Sequence, residues 1–120
     1  MKRPLAFALV CLAGCQSDWR EMAVYDAEAN VRQQINDSSV QFMHVQFTGD
    51  RQTGQTCGYY SRSNMSGATD HVRFIDFIDG AGGQNPYIDD PSAPYPVNKS
   101  DFAANWQTQC LDLGYSINQN

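Results

Sequence analysis

Two histidines and their neighbouring aspartates are the side chains of this chain best suited to acid–base or metal chemistry. His44 and His71 are the only histidines, and Asp70 and Asp76 lie close to His71 in the sequence. An imidazole beside a carboxylate can act as a general base or bind a metal. However, no HExxH spacing surrounds either histidine, and no serine stands in a GxSxG sequence. We therefore predict no enzyme, no metal and no cofactor, with a hydrolase that uses His44, His71 and Asp76 as the alternative.

A long segment rich in glycine and proline is the second candidate for function. It covers residues 80–99 and contains Tyr87, Tyr95 and four prolines. Loops longer than about 12–15 residues are uncommon unless they are functional or disordered. Tyrosine is also favoured at protein interfaces. We therefore predict an interaction loop in which Tyr87 and Tyr95 contact a partner.

The first fifteen residues have the layout of a secretory signal. Lys2 and Arg3 are followed by an apolar run over residues 5–12 and by two small residues before Cys15. The apolar run is too short to cross a bilayer, which takes about 20 residues. The pattern therefore indicates an exported chain and does not indicate a transmembrane helix.

The residues Leu12-Ala13-Gly14-Cys15 resemble the lipobox of bacterial lipoproteins. The resemblance implies a lipoprotein signal peptide over residues 1–14, acylation of Cys15 with lipid such as palmitate, and a lipidated tether over residues 15–18. Membrane lipid would then be the first partner, bound through acylated Cys15. Because Gln16, and not aspartate, follows the cysteine, the resemblance also implies an outer-membrane location facing the periplasm. An ordinary signal peptide is the alternative.

The remaining cysteines indicate a disulfide bond. If Cys11 is removed with the leader and Cys15 carries lipid, Cys57 and Cys110 remain in an oxidising compartment. Two cysteines allow only one intramolecular pairing, so we expect a Cys57–Cys110 bond. Two buried free thiols are the alternative. A metal site is disfavoured because neither cysteine has a CxxC partner.

Helical periodicity and capping residues predict two helices. Asp18 and Glu21 form a capping box at the start of a helix over residues 19–35. Near the other end, Ser100 or Asn98 can cap a second helix, which Gly114 ends. Apolar residues share one face of each predicted helix: Val24, Ala27, Val31 and Ile35 in the first, and Phe102, Trp106, Cys110 and Leu113 in the second.

Alternating and continuous apolar runs between the helices predict strands over residues 40–47, 55–61 and 72–79. In the first strand Met43, Val45 and Phe47 alternate, whereas Phe42 breaks the alternation and indicates either a position before the strand or a bulge. The third strand is apolar on both parities and is expected in the centre of the sheet. A short edge strand is predicted near Tyr87 and Ile88.

This order predicts an α+β fold with an N-terminal helix, an antiparallel sheet of three to four strands and a C-terminal helix joined to the sheet by one disulfide. A chain of 120 residues has room for one domain, which we assign to residues 19–114, with a tail over residues 115–120. Without Lys2 and Arg3 the formal charge is (8 − 2) − 13 = −7. This acidity argues against a nucleic-acid partner.

The segment order also resembles an uncharacterised family of small secreted or lipid-anchored bacterial proteins. That family has a C-G-x₆-N-x₂-G stretch and a late Phe, Trp and Cys. The matching residues are Ser39, Phe42, Val45, Cys57, Gly58, Asn64, Gly67, Arg73, Phe74, Phe102, Trp106 and Cys110. The resemblance supports the fold order and the Cys57–Cys110 pairing but implies no activity. We therefore expect a membrane-anchored periplasmic binding, interaction or structural lipoprotein with an envelope protein or the cell wall as partner.

Overall fold

The computed structural model describes residues 19–63, 66–78 and 85–117. The predicted signal peptide, the tether with Cys15, Asn64, Asp79 and the last three residues lie outside the described residues. The elements are α1 (Trp19–Ile35), β1 (Gln41–Thr48), β2 (Gln55–Ser63), β3 (Thr69–Phe77), β4 (Tyr87–Ile88) and α2 (Lys99–Asn105). A π-helical turn (Trp106–Cys110) and a 3-10 turn (Leu111–Leu113) continue α2.

The four strands form one antiparallel sheet in the order β1-β2-β3-β4. Helix α1 packs on one face of the sheet, and α2 with its two following turns packs on the other. We call these faces the α1 face and the α2 face. The predicted α+β fold is confirmed, and β3 is an inner strand that is buried on both faces, as its apolar sequence indicates.

Helix α1 has the predicted bounds, and Ala27 and Val31 are its buried residues. Asn36 ends the helix in the left-handed conformation at φ 57°. Its N–H donates to the Gln33 carbonyl at 3.3 Å, and the Asp37 N–H donates to the Arg32 carbonyl at 3.2 Å. These two bonds form a Schellman motif, in which asparagine replaces the usual glycine.

A bulge in β1 explains why its apolar residues do not alternate. The pairing with β2 shifts between Met43 and Gln46, and His44 has a φ of 54°. Because of this extra residue, Phe42 and Val45 both pack against the α1-face core although they are three positions apart. A bulge in this strand is therefore confirmed, but it follows Met43, and Phe42 itself lies within the strand and pairs regularly with Tyr60. The prediction that Met43 shares a face with Val45 is wrong, since Met43 pairs with Tyr59 of the α2 face.

Strand β3 begins three residues before the predicted start and ends at Phe77. Thr69 pairs with Ser63, so the β2–β3 hairpin continues beyond the apolar part of both strands. His71 therefore lies in a strand and not at the end of a loop, because backbone pairing extends a strand even where its side chains are exposed. The predicted edge strand is confirmed as Tyr87–Ile88.

The C-terminal helix begins at the predicted cap and then changes its winding. The Asn98 side chain accepts a hydrogen bond from the Ser100 N–H at 2.8 Å. The chain widens into the π-helical turn and then tightens into the 3-10 turn, so the predicted helical face is lost after Cys110. Leu113 is consequently 49% exposed, which corrects its predicted place on the buried face. Gly114 ends the helical segment at φ 108°, as predicted.

The packed domain continues beyond Gly114. Tyr115, the first residue of the predicted tail, is buried and lies edge-to-face against Trp106 at 5.0 Å between ring centres. Its hydroxyl donates to the His44 carbonyl at the bulge, at 2.6 Å. Ser116 also exchanges hydrogen bonds with the Gln46 side chain. These contacts attach the start of the predicted tail to β1.

The predicted disulfide is confirmed between Cys57 and Cys110, whose Cα atoms are 6.1 Å apart. Both residues are fully buried in the core of the α2 face. The bond joins β2 to the π-helical turn over 53 positions of sequence. It therefore holds the C-terminal layer on the sheet covalently.

Candidate functional site

The structure does not bring His44, His71 and Asp76 to one place. The His44 ring lies edge-to-face against Tyr59, at 6.4 Å between ring centres. His71 is two residues before Arg73 in β3 and therefore shares the face of Arg73, whose guanidinium lies over α2-face rings. Both histidines thus belong to the α2 side of the sheet.

Asp76 faces α1 and is 9% exposed. Its Oδ2 accepts a hydrogen bond from Asn30 Nδ2 of α1 at 3.0 Å. Burial raises the pKa of Asp76 to about 6, the hydrogen bond from Asn30 opposes this, and the nearby Asp26 charge adds to it. The sheet separates this carboxylate from both imidazoles. The residues named for the hydrolase alternative therefore form no common acid–base site.

The two tyrosines of the predicted interaction loop are also separated. Tyr87 pairs with Ile75 and packs edge-to-face on Phe77, at 5.1 Å between ring centres, so it lies on the α2 face. Tyr95 is 69% exposed and lines a cavity on the side of α1. Of the two, only Tyr95 presents most of its ring to solvent.

The segment that carries Tyr95 is attached to α1 and to the core. Ala93 and Ile88 are buried in the α1-face core. Gln34 Nε2 donates to the Pro86 carbonyl at 3.0 Å and to the Pro94 carbonyl at 3.3 Å. A single side chain of α1 thus holds the backbone of this segment at two points, Pro86 and Pro94.

Two ion pairs attach the same segment to the inner strands. Arg73 of β3 lies 2.9 Å from an Asp89 carboxylate oxygen, and Arg62 of β2 lies 2.7 Å from one of Asp90. Asp90 also accepts hydrogen bonds from the N–H and hydroxyl of Ser92, which form a tight turn. The described part of the predicted loop is therefore packed against the domain and held by specific polar contacts.

The resulting cavity, which we call the Tyr95 pocket, has a volume of about 510 Å³. That volume is within the range typical of small-molecule sites. Among the described residues that line it, none is charged and four carry side-chain amides. The lining residues are Asn30, Gln33, Gln34, Asn85, Pro86, Pro94 and Tyr95.

Tyr95 itself has an unusual backbone conformation. Its φ is 54°, in the left-handed region that bulky residues rarely adopt, and proline stands on either side of it. Such a conformation costs on the order of 1–3 kcal/mol and persists only when the surrounding structure holds it. The hydrogen bond from Gln34 to the carbonyl of the preceding residue, Pro94, is one contact that restrains this backbone.

The half of this pocket that α1 contributes was not predicted from the sequence. Asn30, Gln33 and Gln34 are spaced i, i+3 and i+4 on α1 and therefore lie side by side on its surface. The spacing of these amides could have been recognised in the sequence. Their proximity to Tyr95, some sixty positions later, could not, because it depends on the folded structure.

A second cavity of about 460 Å³ lies beside the outer edge of β1. It is more apolar than the Tyr95 pocket and contains the exposed Leu113 together with Val24 and Phe47. Arg20 and Glu21 of the first turn of α1 add one charge of each sign. The two cavities thus differ in chemistry, one being apolar with charged neighbours and the other polar and uncharged.

Comparison of the chain with family models, with curated proteins and with solved structures found no match. Among the described residues, no helix is long and apolar enough to cross a membrane. In the same part of the chain, no three His, Cys, Asp or Glu side chains are placed to hold a metal ion. The grounds for a function are therefore the N-terminal sequence and the geometry of the Tyr95 pocket.

Proposed function

We propose that this chain is a lipid-anchored binding protein of the periplasm, held at the outer membrane by acylated Cys15. The Tyr95 pocket is its binding site for an envelope component. The observation that carries the proposal is an exposed tyrosine ring held beside four side-chain amides in a cavity of suitable size. In the described part of the chain, no histidine, cysteine, serine or carboxylate lines this cavity, which favours binding over catalysis.

The anchor is supported by the sequence Leu12-Ala13-Gly14-Cys15 after a short apolar run. Only three residues lie between Cys15 and the start of α1 at Trp19. A tether of this length spans at most about 14 Å when fully extended. An acylated Cys15 would therefore keep the domain close to the membrane surface, where envelope components are within reach.

Replacement of Cys15 tests the anchor. The variant Cys15→Ala is expected to remain as an uncleaved precursor and to lose labelling by palmitate, because the thiol is the site of acylation. The matched control is Cys11→Ala, which removes a cysteine from the leader and should be processed and labelled like the wild type. Palmitate labelling that persists in Cys15→Ala would contradict the proposal.

A photoreactive amino acid tests the binding site. Benzoylphenylalanine in place of Tyr95 is expected to form adducts with an envelope component when intact cells are irradiated. Tyr25 is the matched control, because it is 67% exposed against 69% for Tyr95 and does not line the pocket. Adducts that are equally abundant from both positions would show that the Tyr95 pocket is not a specific site.

A further inference from the structure

We infer that the Tyr95 pocket binds an uncharged saccharide. This inference rests on the proposed function, since it names the ligand class of the same site. It depends on three features of the pocket: the absence of charge among its lining residues, the arrangement of its amides and the exposed ring of Tyr95.

The lining of the pocket argues for a neutral ligand. The chain has 13 acidic residues against 8 basic ones, yet no charged residue of the described part of the chain lines the Tyr95 pocket. A charged ligand group would lose water on binding without gaining a partner of opposite charge, which is unfavourable. The ligand must instead make its polar contacts with amides, backbone carbonyls and a phenol.

The amides divide into a fixed pair and an available pair. Asn30 is held by Asp76, and Gln34 is held by the carbonyls of Pro86 and Pro94. Gln33 and Asn85, by contrast, are exposed, and their side-chain amides form no hydrogen bond with the described residues. An amide offers donors and an acceptor together, so it can bond two neighbouring hydroxyl groups at once.

The helical amides are spaced for a ring-sized ligand. Residues i and i+4 on a helix have Cβ atoms about 5–6 Å apart, which is the relation of Asn30 to Gln34. This separation is comparable to the width of a sugar ring. Gln33 lies beside both on the same surface. Because the amide nitrogens of Asn30 and Gln34 already donate to protein groups, a sugar unit placed here would meet the Gln33 amide and the side-chain carbonyl oxygen of Asn30.

Tyr95 supplies the apolar surface that a saccharide also needs. One face of a sugar ring consists of C–H groups, which pack on a flat aromatic ring. Tyr95 is 69% exposed, and the position of its ring is set by two flanking prolines and by the left-handed backbone at φ 54°. A tyrosine side chain has only two rotatable χ angles, so it loses little freedom when a ligand packs on it.

Neutral β-1,4-linked oligomers of N-acetylglucosamine are the probe that tests this inference. Titration calorimetry on the purified lipoprotein is performed in a detergent without a sugar headgroup, so that the detergent cannot fill the site. Binding is expected for the wild type. Loss of the Tyr95 ring or of the Gln33 amide should each weaken it about tenfold, as for one lost contact.

Three variants with matched controls locate the site. Tyr95→Ala and Gln33→Ala are expected to lose affinity, whereas Tyr95→Phe keeps the ring and should retain most of it. Tyr25→Ala removes an equally exposed tyrosine outside the pocket and should bind like the wild type. Circular dichroism and thermal unfolding verify that each variant is folded. Unchanged affinity in folded Tyr95→Ala would overturn the inference.

The results separate the ligand class from the proposed function. If the wild type does not bind the oligomers but Tyr95 still forms specific photo-adducts with an envelope protein, the saccharide inference is wrong and the binding function remains. Preference for an anionic oligosaccharide over the neutral one would also overturn it. The absence of both saccharide binding and photo-adducts would overturn the inference and the binding function together.

Discussion

The two faces of the sheet are covered by helical layers of different construction. On the α1 face, one regular helix of 17 residues packs through Ala27 and Val31, and its polar link to the sheet is the Asn30–Asp76 hydrogen bond. On the α2 face, a helix of 7 residues continues into a π-helical and a 3-10 turn. That second layer is bonded covalently to β2 through Cys57 and Cys110.

This difference shows where a covalent bond is most useful. Isolated helices shorter than about 12–15 residues are marginal in water, so the C-terminal layer depends on its contacts with the sheet. Those contacts are mainly aromatic, including Trp106 on Tyr59 and on Tyr115. The disulfide adds a connection that does not depend on packing, whereas α1 is long enough to remain on the sheet without one.

The faces also differ in the polar groups that they bury. The α1 face encloses the Asp76 carboxylate and the Tyr60 hydroxyl, and the latter has no hydrogen-bond partner within the described structure. Burial raises the pKa of Tyr60 to about 12. In the α2-face core, Tyr115 is buried with its hydroxyl donating to a backbone carbonyl. The α1 face, whose helix has no disulfide to the sheet, thus also buries the polar groups that are less well compensated, namely the Asp76 carboxylate and the Tyr60 hydroxyl.

Removal of the disulfide is expected to have the largest effect. The double variant Cys57→Ser with Cys110→Ser should lose about 4 kcal/mol of unfolding free energy, the chain-entropy value for a closed loop of some fifty residues. Urea unfolding measures this loss. Amide hydrogen exchange should show α2 opening before α1. Val31→Ala is the control on the other face, because it weakens packing and leaves the disulfide intact.

That prediction would be contradicted if the amides of Lys99–Asn105 stayed as protected as those of α1 in the double variant. The C-terminal layer would then stay folded on the sheet without the disulfide. The two helical layers would differ in construction but not in their resistance to local unfolding.

Substitution of the buried carboxyl should have the next largest effect, and it should increase stability. The pKa of Asp76 is raised from 3.8 to about 6 on folding, so ionisation opposes the folded state. The stability that the protonated Asp76 carboxyl contributes is fully present below pH 3.8 and is lost as the pH rises through about 6. Asp76→Asn removes the ionisation and should therefore add about 2–3 kcal/mol above pH 6, measured by urea unfolding.

The effect of Asp76→Asn should disappear well below pH 3.8, where the carboxyl is protonated in both states. Asp112→Asn is the control, since it removes an exposed carboxylate on the other side of the molecule. A stability gain for Asp76→Asn that is the same well below pH 3.8 as above pH 6 would show that the gain is not due to ionisation.

Arg73 offers the smallest of the three tests. Its guanidinium lies 5.1 Å from the Phe102 ring centre and 5.2 Å from that of Trp106, and it pairs with Asp89. Lysine keeps the charge but lacks the planar group that stacks on rings and bonds a carboxylate through two N–H groups. Arg73→Lys should therefore lower the free energy of unfolding by about 1 kcal/mol.

Arg62→Lys provides the comparison for Arg73→Lys. Arg62 pairs with Asp90 in the same segment, and within the described structure it makes no cation–π contact like those of Arg73. Its replacement should cost less than that of Arg73 in the same urea titration. Equal losses in the two variants would mean that the α2-face rings contribute nothing to holding Arg73.

The elements of the fold were largely predictable because their signals are local. The predicted capping box and the apolar spacing of Ala27 and Val31 indicated the bounds of α1, and Gly114 indicated the end of the C-terminal helical segment. The irregular position of Phe42 indicated the bulge. The start of β3 was not predictable, since Thr69 and His71 belong to the strand only through their pairing with β2.

The candidate site was predictable only in part. The loop composition pointed to Tyr95 as an interaction residue, but equally to Tyr87, which packs on Phe77. The face that each tyrosine occupies depends on the register of β4 against β3 and on the turn after it. No local pattern contains that information.

The amino-acid sequence by itself determined the helices, most of the strands and the cysteine pair, because caps and hydrophobic periodicity act between residues a few positions apart. Only the tertiary structure decided which side chains meet. It placed Asp76 on the opposite face from both histidines, and it brought Gln34 to the carbonyls of Pro86 and Pro94. Such contacts depend on how distant elements pack, so the Tyr95 pocket exists only in the folded chain.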